Sequence, residues 1–271
     1  MTTCRVIGTS IAICALWACG SDSTAPNDTL SDQQMSADLA ANTAPAVASS
    51  TVMFAEGGVA GGSSGSIVPS AAACTVNSAS GMVAFSDDTL SYARTWEYFA
   101  GTTCQNTLDA ASTDSIAFTA AWTEVDHDPR FVSRATRNWV FDVTGAPTLA
   151  LAATHVWNGT GIGADTAEHK TPGLDRTYAG TAYDTAATVT FPNPRNGVIV
   201  PASGTFSRWT TVTVAHVTKD VDKTETIARH IVVTFNGTTE VPLTVLDTSS
   251  GAVILTCTLD LTARRLNGSC H

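Results

Sequence analysis

The stretch SIAFTAAWTE (115–124) alternates with a period of two: Ile116, Phe118, Ala120 and Trp122 fall on one side, Thr119 and Thr123 on the other. Successive side chains of an extended chain point to opposite faces, so the pattern predicts a strand with one face in a core and the other in water. VILTCTLDL (253–261) repeats it, setting Val253, Leu255, Cys257, Leu259 and Leu261 against Thr256, Thr258 and Asp260. Similar runs occur near 92–99, 131–143, 148–157, 177–191, 204–217, 226–236 and 240–247. Between them, Asn158-Gly159, Asn196-Gly197, Asn236-Gly237 and Asn267-Gly268 supply residues that tolerate positive φ, as tight hairpins require. About ten strands joined by short turns predict an all-β domain, a single antiparallel meander with a barrel favoured over a sandwich.

Composition supports a packed domain. Hydrophobic residues make up 44% of the 271 and charged residues 14%, which argues against wholesale disorder. The formal charge of −10 excludes the basic stripe that phosphate binding needs, so no nucleic-acid partner is expected. No cofactor fingerprint appears: there is no dinucleotide-binding glycine motif, Walker loop, EF-hand loop or zincin motif. A resemblance between VTFPNPRNGVIVP (189–201) and VTFNGTTEVP (233–242) is shared hairpin grammar rather than a repeat.

The first 18 residues hold one charge, Arg5, followed by VIGTSIAICALWA, an apolar run of signal-peptide length and too short to span a bilayer. The segment Leu16-Trp17-Ala18-Cys19 that ends it resembles the lipobox of bacterial lipoproteins. The resemblance implies that residues 1–18 are a signal peptide and that the Cys19 thiol carries a diacylglycerol. It also implies a membrane partner, reached through the N-terminal lipid. With Gly20 rather than aspartate after the cysteine, it implies the outer membrane if the host has two. The domain behind these residues resembles no family. Residues 19–73 contain five acids and no Lys or Arg, and GGVAGGSSGS (57–66) has linker composition. They read as an acidic flexible tether, with a short helix plausible within TLSDQQMSADLAANTA (29–44). The β domain is then 74–271.

Cys4 and Cys14 leave with the signal and Cys19 takes lipid, so four cysteines remain: Cys74, Cys104, Cys257 and Cys270. An even remainder in an exported chain predicts two disulfides with three possible connectivities. Cys257 and Cys270 flank a terminal hairpin, which favours pairing them and leaves Cys74 with Cys104.

Signals of chemistry are sparse. Ser63 in GGSSG matches a nucleophile elbow only formally, because linker flanks it on both sides. EVDHDPR (124–130) gathers Glu124, Asp126, His127 and Asp128, of which Asp126, His127 and Asp128 are weak metal candidates; a charged turn explains them as well. His216 and His230 sit on consecutive predicted strands and share a cation only if the register pairs them. Arg130, Arg134 and Arg137 read as a solvated basic cluster. Trp122, Trp139, Trp157 and His155 are the candidate ligand-binding residues, since strand tryptophans either fill a core or line a cavity. The expectation is a lipid-anchored envelope lipoprotein with a non-enzymatic binding or structural β domain. The alternatives are a lipocalin-like carrier of an apolar small molecule and an envelope hydrolase. No protein or small-molecule partner is legible.

Overall fold

The computed structural model describes residues 30–56, 68–69, 75–85, 88–128, 131–145, 147–171, 174–192, 200–217 and 222–271. One helix, α1 (Asp32–Glu56), precedes thirteen strands. These are β1 (Val68–Pro69), β2 (Thr75–Phe85), β3 (Asp88–Ala100), β4 (Thr103–Gln105), β5 (Ser115–Asp128), β6 (Phe131–Thr144), β7 (Thr154–Thr171), β8 (Leu174–Pro192), β9 (Ser203–Val217), β10 (Asp222–Phe235), β11 (Glu240–Asp247), β12 (Val253–Asp260) and β13 (Arg265–Asn267). All belong to one sheet. Twelve follow one another across it in chain order, β4 pairs only with β3, and β1 and β13 end the order without closing it. Every pairing is antiparallel. The expected antiparallel meander is the observed one.

Alternation sets the two faces. On β5 the buried members are Ile116, Phe118, Ala120, Trp122, Glu124 and Asp126, while Thr119, Ala121 and Thr123 face out. The inner face holds an aromatic cluster, in which Phe118 and Phe141 each meet Trp157 edge-on at 5.6 and 5.7 Å and Trp139 stacks on Phe141 at 4.7 Å.

Helix α1 is also part of this interior. Residues 43–51 of α1 are buried without interruption, which requires wall on every side. The segment, Thr43 to Thr51, contains only small side chains, Pro45 and Val47, so the sheet packs close around it. Ser31 starts the helix by accepting from Gln34 N at 3.1 Å. Ser50 and Thr51 return their hydroxyls to the carbonyls of Ala46 and Ala48 at 2.8 and 2.7 Å, satisfying polar groups that would otherwise be buried unpaired. The tether expected over 19–73 is therefore wrong for 32–56, which belongs to the β domain. Its Ala/Ser/Thr composition imitates linker because a helix wrapped on all sides needs small residues and no amphipathic stripe.

Two turn expectations resolve differently. Gly237 (φ 82°) turns β10 into β11, as an Asn-Gly hairpin should, whereas Gly268 (φ 75°) has the positive φ but follows the last strand, β13, and joins no hairpin. Asn158-Gly159 is instead inside β7, at a register shift against β8. The reason is a close approach: a Cβ on Gly159 would meet the Phe141 ring at 2.2 Å, and one on Gly161 would meet Trp139 at 2.5 Å. These glycines admit aromatic rings rather than turn the chain. Asn196-Gly197 lies outside the described residues.

At the C-terminus, Cys257 and Cys270 form the expected disulfide. His271 then exchanges two backbone hydrogen bonds with Thr256, at 2.8 and 2.9 Å, so the last residues are pinned along β12. Cys104 is also disulfide-bonded; Cys74 lies outside the described residues.

Gly161→Ala forces a methyl group against Trp139 and is expected to lower stability by about 1–3 kcal/mol. The outward Thr160→Ala next to it should stay within about 0.5 kcal/mol. Urea denaturation midpoints of the two variants check the difference.

Candidate functional site

Two regions gather groups with chemistry: the contact between α1 and the sheet, and the outer face of the sheet.

Asp38 of α1 is buried, and the sheet supplies its partners. Arg176 Nε and Tyr178 Oη, two positions apart on β8, donate to its Oδ2 at 2.7 and 2.5 Å, and Gln34 Nε2 donates to its Oδ1 at 2.9 Å. His169 of β7 lies 3.7 Å from the same carboxylate through Nδ1, and its Nε2 is 2.9 Å from Asn42 Oδ1. Burial, and then the adjacent Asp38 charge, pushes the Tyr178 phenol well above its usual range. Tyr178 is thus a fixed hydrogen-bond donor.

Nearer the start of the helix, Arg229 of β10 takes Ser36 Oγ at 2.9 Å and pairs with Asp32. Further into the sheet, Arg208 meets Asp184 with two hydrogen bonds of 2.8 and 2.9 Å, and Arg137 pairs with Asp165. Burial works against the Arg208 charge, but Asp184 and Asp165 outweigh it and hold the proton more firmly than usual. Arg137 was expected in solvent with Arg134; it is 1% exposed, because its position on β6 has the inward parity and Arg134 the outward one.

The far half of the helix meets the acidic stretch 124–128. Ser49 Oγ donates to Glu124 at 2.6 Å, and Arg264, from the turn after β12, pairs with Glu124 and lies 3.9 Å from both Asp126 and Asp88. Burial pushes the Glu124 carboxyl up despite Arg264. Burial, and then a hydrogen bond and charge from Asp88, pushes Asp126 up to about 8. These carboxyls are struts between helix, sheet and the C-terminal turn, both held above the usual carboxylate range by burial.

The expected metal candidates separate across the strand: Asp126 faces inward and His127 outward. Asp128 shares the parity of Asp126, but no cluster of three or more metal-ligating acids, histidines or cysteines occurs among the described residues. His216 and His230 do not meet either. His216 pairs with Lys223 and His230 with Trp209, seven register positions away and on the opposite face. The ligand candidates Trp122, Trp139, Trp157 and His155 are all buried on the inner face; His155 Nε2 lies 2.6 Å from the Leu149 carbonyl. They fill the core. Ser63 and Arg130 lie outside the described residues.

The outer face is what the sequence reading missed. Register places Asn138, Ile162, Tyr183, Trp209, His230 and Leu246 in one row across β6 to β11. Tyr183 and Trp209 lie 5.8 Å apart, and Trp209 stacks on His230 at 4.4 Å. Above and below run rows of uncharged residues, Thr119–Val140–Thr160–Thr185–Ser207 and Thr123–Thr136–Ala164–Thr181–Thr211. A groove of about 1010 Å³ crosses this face, lined by Ser78, Thr95, Thr119, Asn138, Val140, Thr160, Ile162 and Tyr183, with Arg94 its one charged lining residue. A second groove, about 580 Å³, shares Asn138, Ile162 and Tyr183 and continues past Trp209 and Thr211. The signal was in the outward parity of each strand, but only the register joins residues from six strands into a row.

Comparison with family models, curated proteins and solved structures found no match.

Two outcomes are expected. Asp38→Ala strands Arg176 in the interior and should cost about 3–5 kcal/mol in chemical denaturation. For Asp126 the folded pKa is raised, so its stabilising contribution is complete below the unfolded carboxylate pKa and is lost as pH rises through about 8. The melting temperature of the protein should accordingly fall more steeply than that of Asp126→Asn between about pH 5 and pH 9. Parallel pH profiles of the two proteins would rule the shift out.

Proposed function

We propose that the chain is a lipid-anchored cell-envelope lipoprotein whose β domain binds or scaffolds without catalysis. What supports this reading is the contrast between a filled inside and an outer face whose central rows are uncharged and grooved. A lipocalin-like carrier holds its ligand within the curl of the sheet. Here α1 lies against the inner face, and Trp139, Trp157, Phe118 and Phe141 pack on one another. A hydrolase needs titratable groups that meet substrate, whereas Glu124 and Asp126 are buried beneath the helix and tied to Ser49 and Arg264. Binding on the outer face leaves the interior free to be structural.

The anchor is proposed from Leu16-Trp17-Ala18-Cys19, and the outer membrane from Gly20 when the host has two membranes. Two or three acyl chains hold a protein stably where one does not, at about 0.8 kcal/mol per buried methylene.

Mass spectrometry of the protein extracted from its own membranes tests the reading. The expected denatured mass is that of a chain starting at Cys19, plus acyl groups, less the hydrogens of two disulfides. An unmodified mass overturns the anchor. A small molecule retained only in the native spectrum would favour the carrier.

A further inference from the structure

In the row Ile162–Tyr183–Trp209–His230–Leu246, Ile162, Tyr183 and Trp209 are 61%, 47% and 37% exposed. Such a row on a charged surface would be unremarkable, but its surroundings are uncharged too. The nearest outward charges on β6 are Arg134 and Asp142, each four residues from Asn138. At about 3.4 Å per residue they leave a neutral belt roughly 27 Å tall. Within the row, His230 stacks on Trp209, and burial lowers its pKa, which disfavours a charge there.

The start of the helix lies level with this row, on the opposite face of the sheet. Asp32, at the first turn of α1, pairs with Arg229, and Arg229 also lies 3.6 Å from Asp247. Arg229 and Asp247 are the immediate neighbours of His230 and Leu246. The chain leading back to Cys19 therefore leaves the helix at the register level where the aromatic row crosses β10 and β11, on the inner side of the sheet. Thirteen peptide steps separate Cys19 from Asp32, and whatever their conformation they reach no further than about 45 Å. A lipid at Cys19 would hold Asp32 within that distance of the bilayer and raise the effective concentration of the nearby row there.

We infer that the row through Tyr183, Trp209 and His230 is a membrane-facing surface that docks on the bilayer carrying the anchor. Tyr and Trp suit the headgroup level, where an apolar ring and a polar N–H or O–H are both accommodated. Threonines around them satisfy a surface that touches lipid without entering the hydrocarbon. Among the described residues the sheet is unclosed, which fits peripheral contact, since open edges are not tolerated in hydrocarbon. A neutral belt on an acidic domain points to zwitterionic headgroups.

The inference rests on the anchored reading, so the test installs the anchor chemically. The chain from Cys19 onward, folded with its disulfides, is coupled through the Cys19 thiol to a maleimide lipid in phosphatidylcholine vesicles with brominated acyl chains. Trp96, Trp122, Trp139, Trp157 and Trp209 report by fluorescence. The expected result is quenching relative to unbrominated vesicles that vanishes in Trp209→Thr and falls at least severalfold in Ile162→Lys, which keeps every tryptophan. Unchanged quenching in both variants, or none in the parent protein, overturns the inference. Far-UV circular dichroism verifies that each variant is folded. Native lipidation plays no part, so failure here is distinct from failure of the lipoprotein reading.

Discussion

A carboxylate cannot be taken into a protein interior without partners, and Asp38 is taken there on a helix. Its neighbours Arg176, Tyr178 and Gln34 supply three hydrogen bonds of 2.5 to 2.9 Å, charge-assisted and so stronger than neutral ones. The two strongest donors lie two residues apart on β8, hence on one face. They meet Asp38 only when the helix lies at one height against the sheet. Ser36 and Asp32 on Arg229, and Ser49 on Glu124 with Arg264, fix the same height at both ends. Small residues between these points give close packing but little positional information; the polar contacts provide the register. Curvature of the sheet follows, because β5, β8, β10 and the turn after β12 must all reach one helix.

The same constraint explains the charge distribution. Buried ion pairs are poor sources of net stability, yet the inner face carries Arg137, Arg208, Asp165 and Asp184 in addition to those that touch the helix. Their geometry compensates the cost locally: two arginines oppose two aspartates, and Asp184 is fully buried against the Arg208 fork. With guanidinium and carboxylate groups spent on internal pairing, the central outer rows are left to threonine, serine, alanine and a few large apolar side chains. Inside and outside are coupled through the strand's period of two.

Legibility in the sequence followed that period. The strands at 115–124 and 253–261, with large inner residues and outer threonines, announced themselves, and so did the Cys257–Cys270 staple, whereas the run near 148–157 gave only the start of β7, which continues to Thr171. The helix did not, because Thr43 to Thr51 has no polar face to create a helical period and shares its composition with a linker. Asn158-Gly159 misled for a related reason. Glycine is required both where φ is positive and where a ring lies against the backbone, and one sequence does not separate the two. Arg137 reads as solvated in the sequence because the room for it comes from Gly163 on the paired strand, where a Cβ would meet its guanidinium at 2.5 Å.

The outer row is the feature least accessible to sequence, and the reason is geometric. Ile162, Tyr183, Trp209, His230 and Leu246 are separated by 16 to 26 positions along the chain, so no window of 16 residues or fewer holds two of them. Each is a single apolar or aromatic side chain on a threonine-rich face, and exposed hydrophobic residues taken singly need no explanation. Meaning arises only from alignment at intervals of about 4.8 Å, which depends on the pairings of β7 through β11 being in register. Those pairings are set by the inner face, where a one-residue slip would put Trp139, Phe206 and Ile231 in water. The core thus determines the outer row although no core residue touches whatever that row meets.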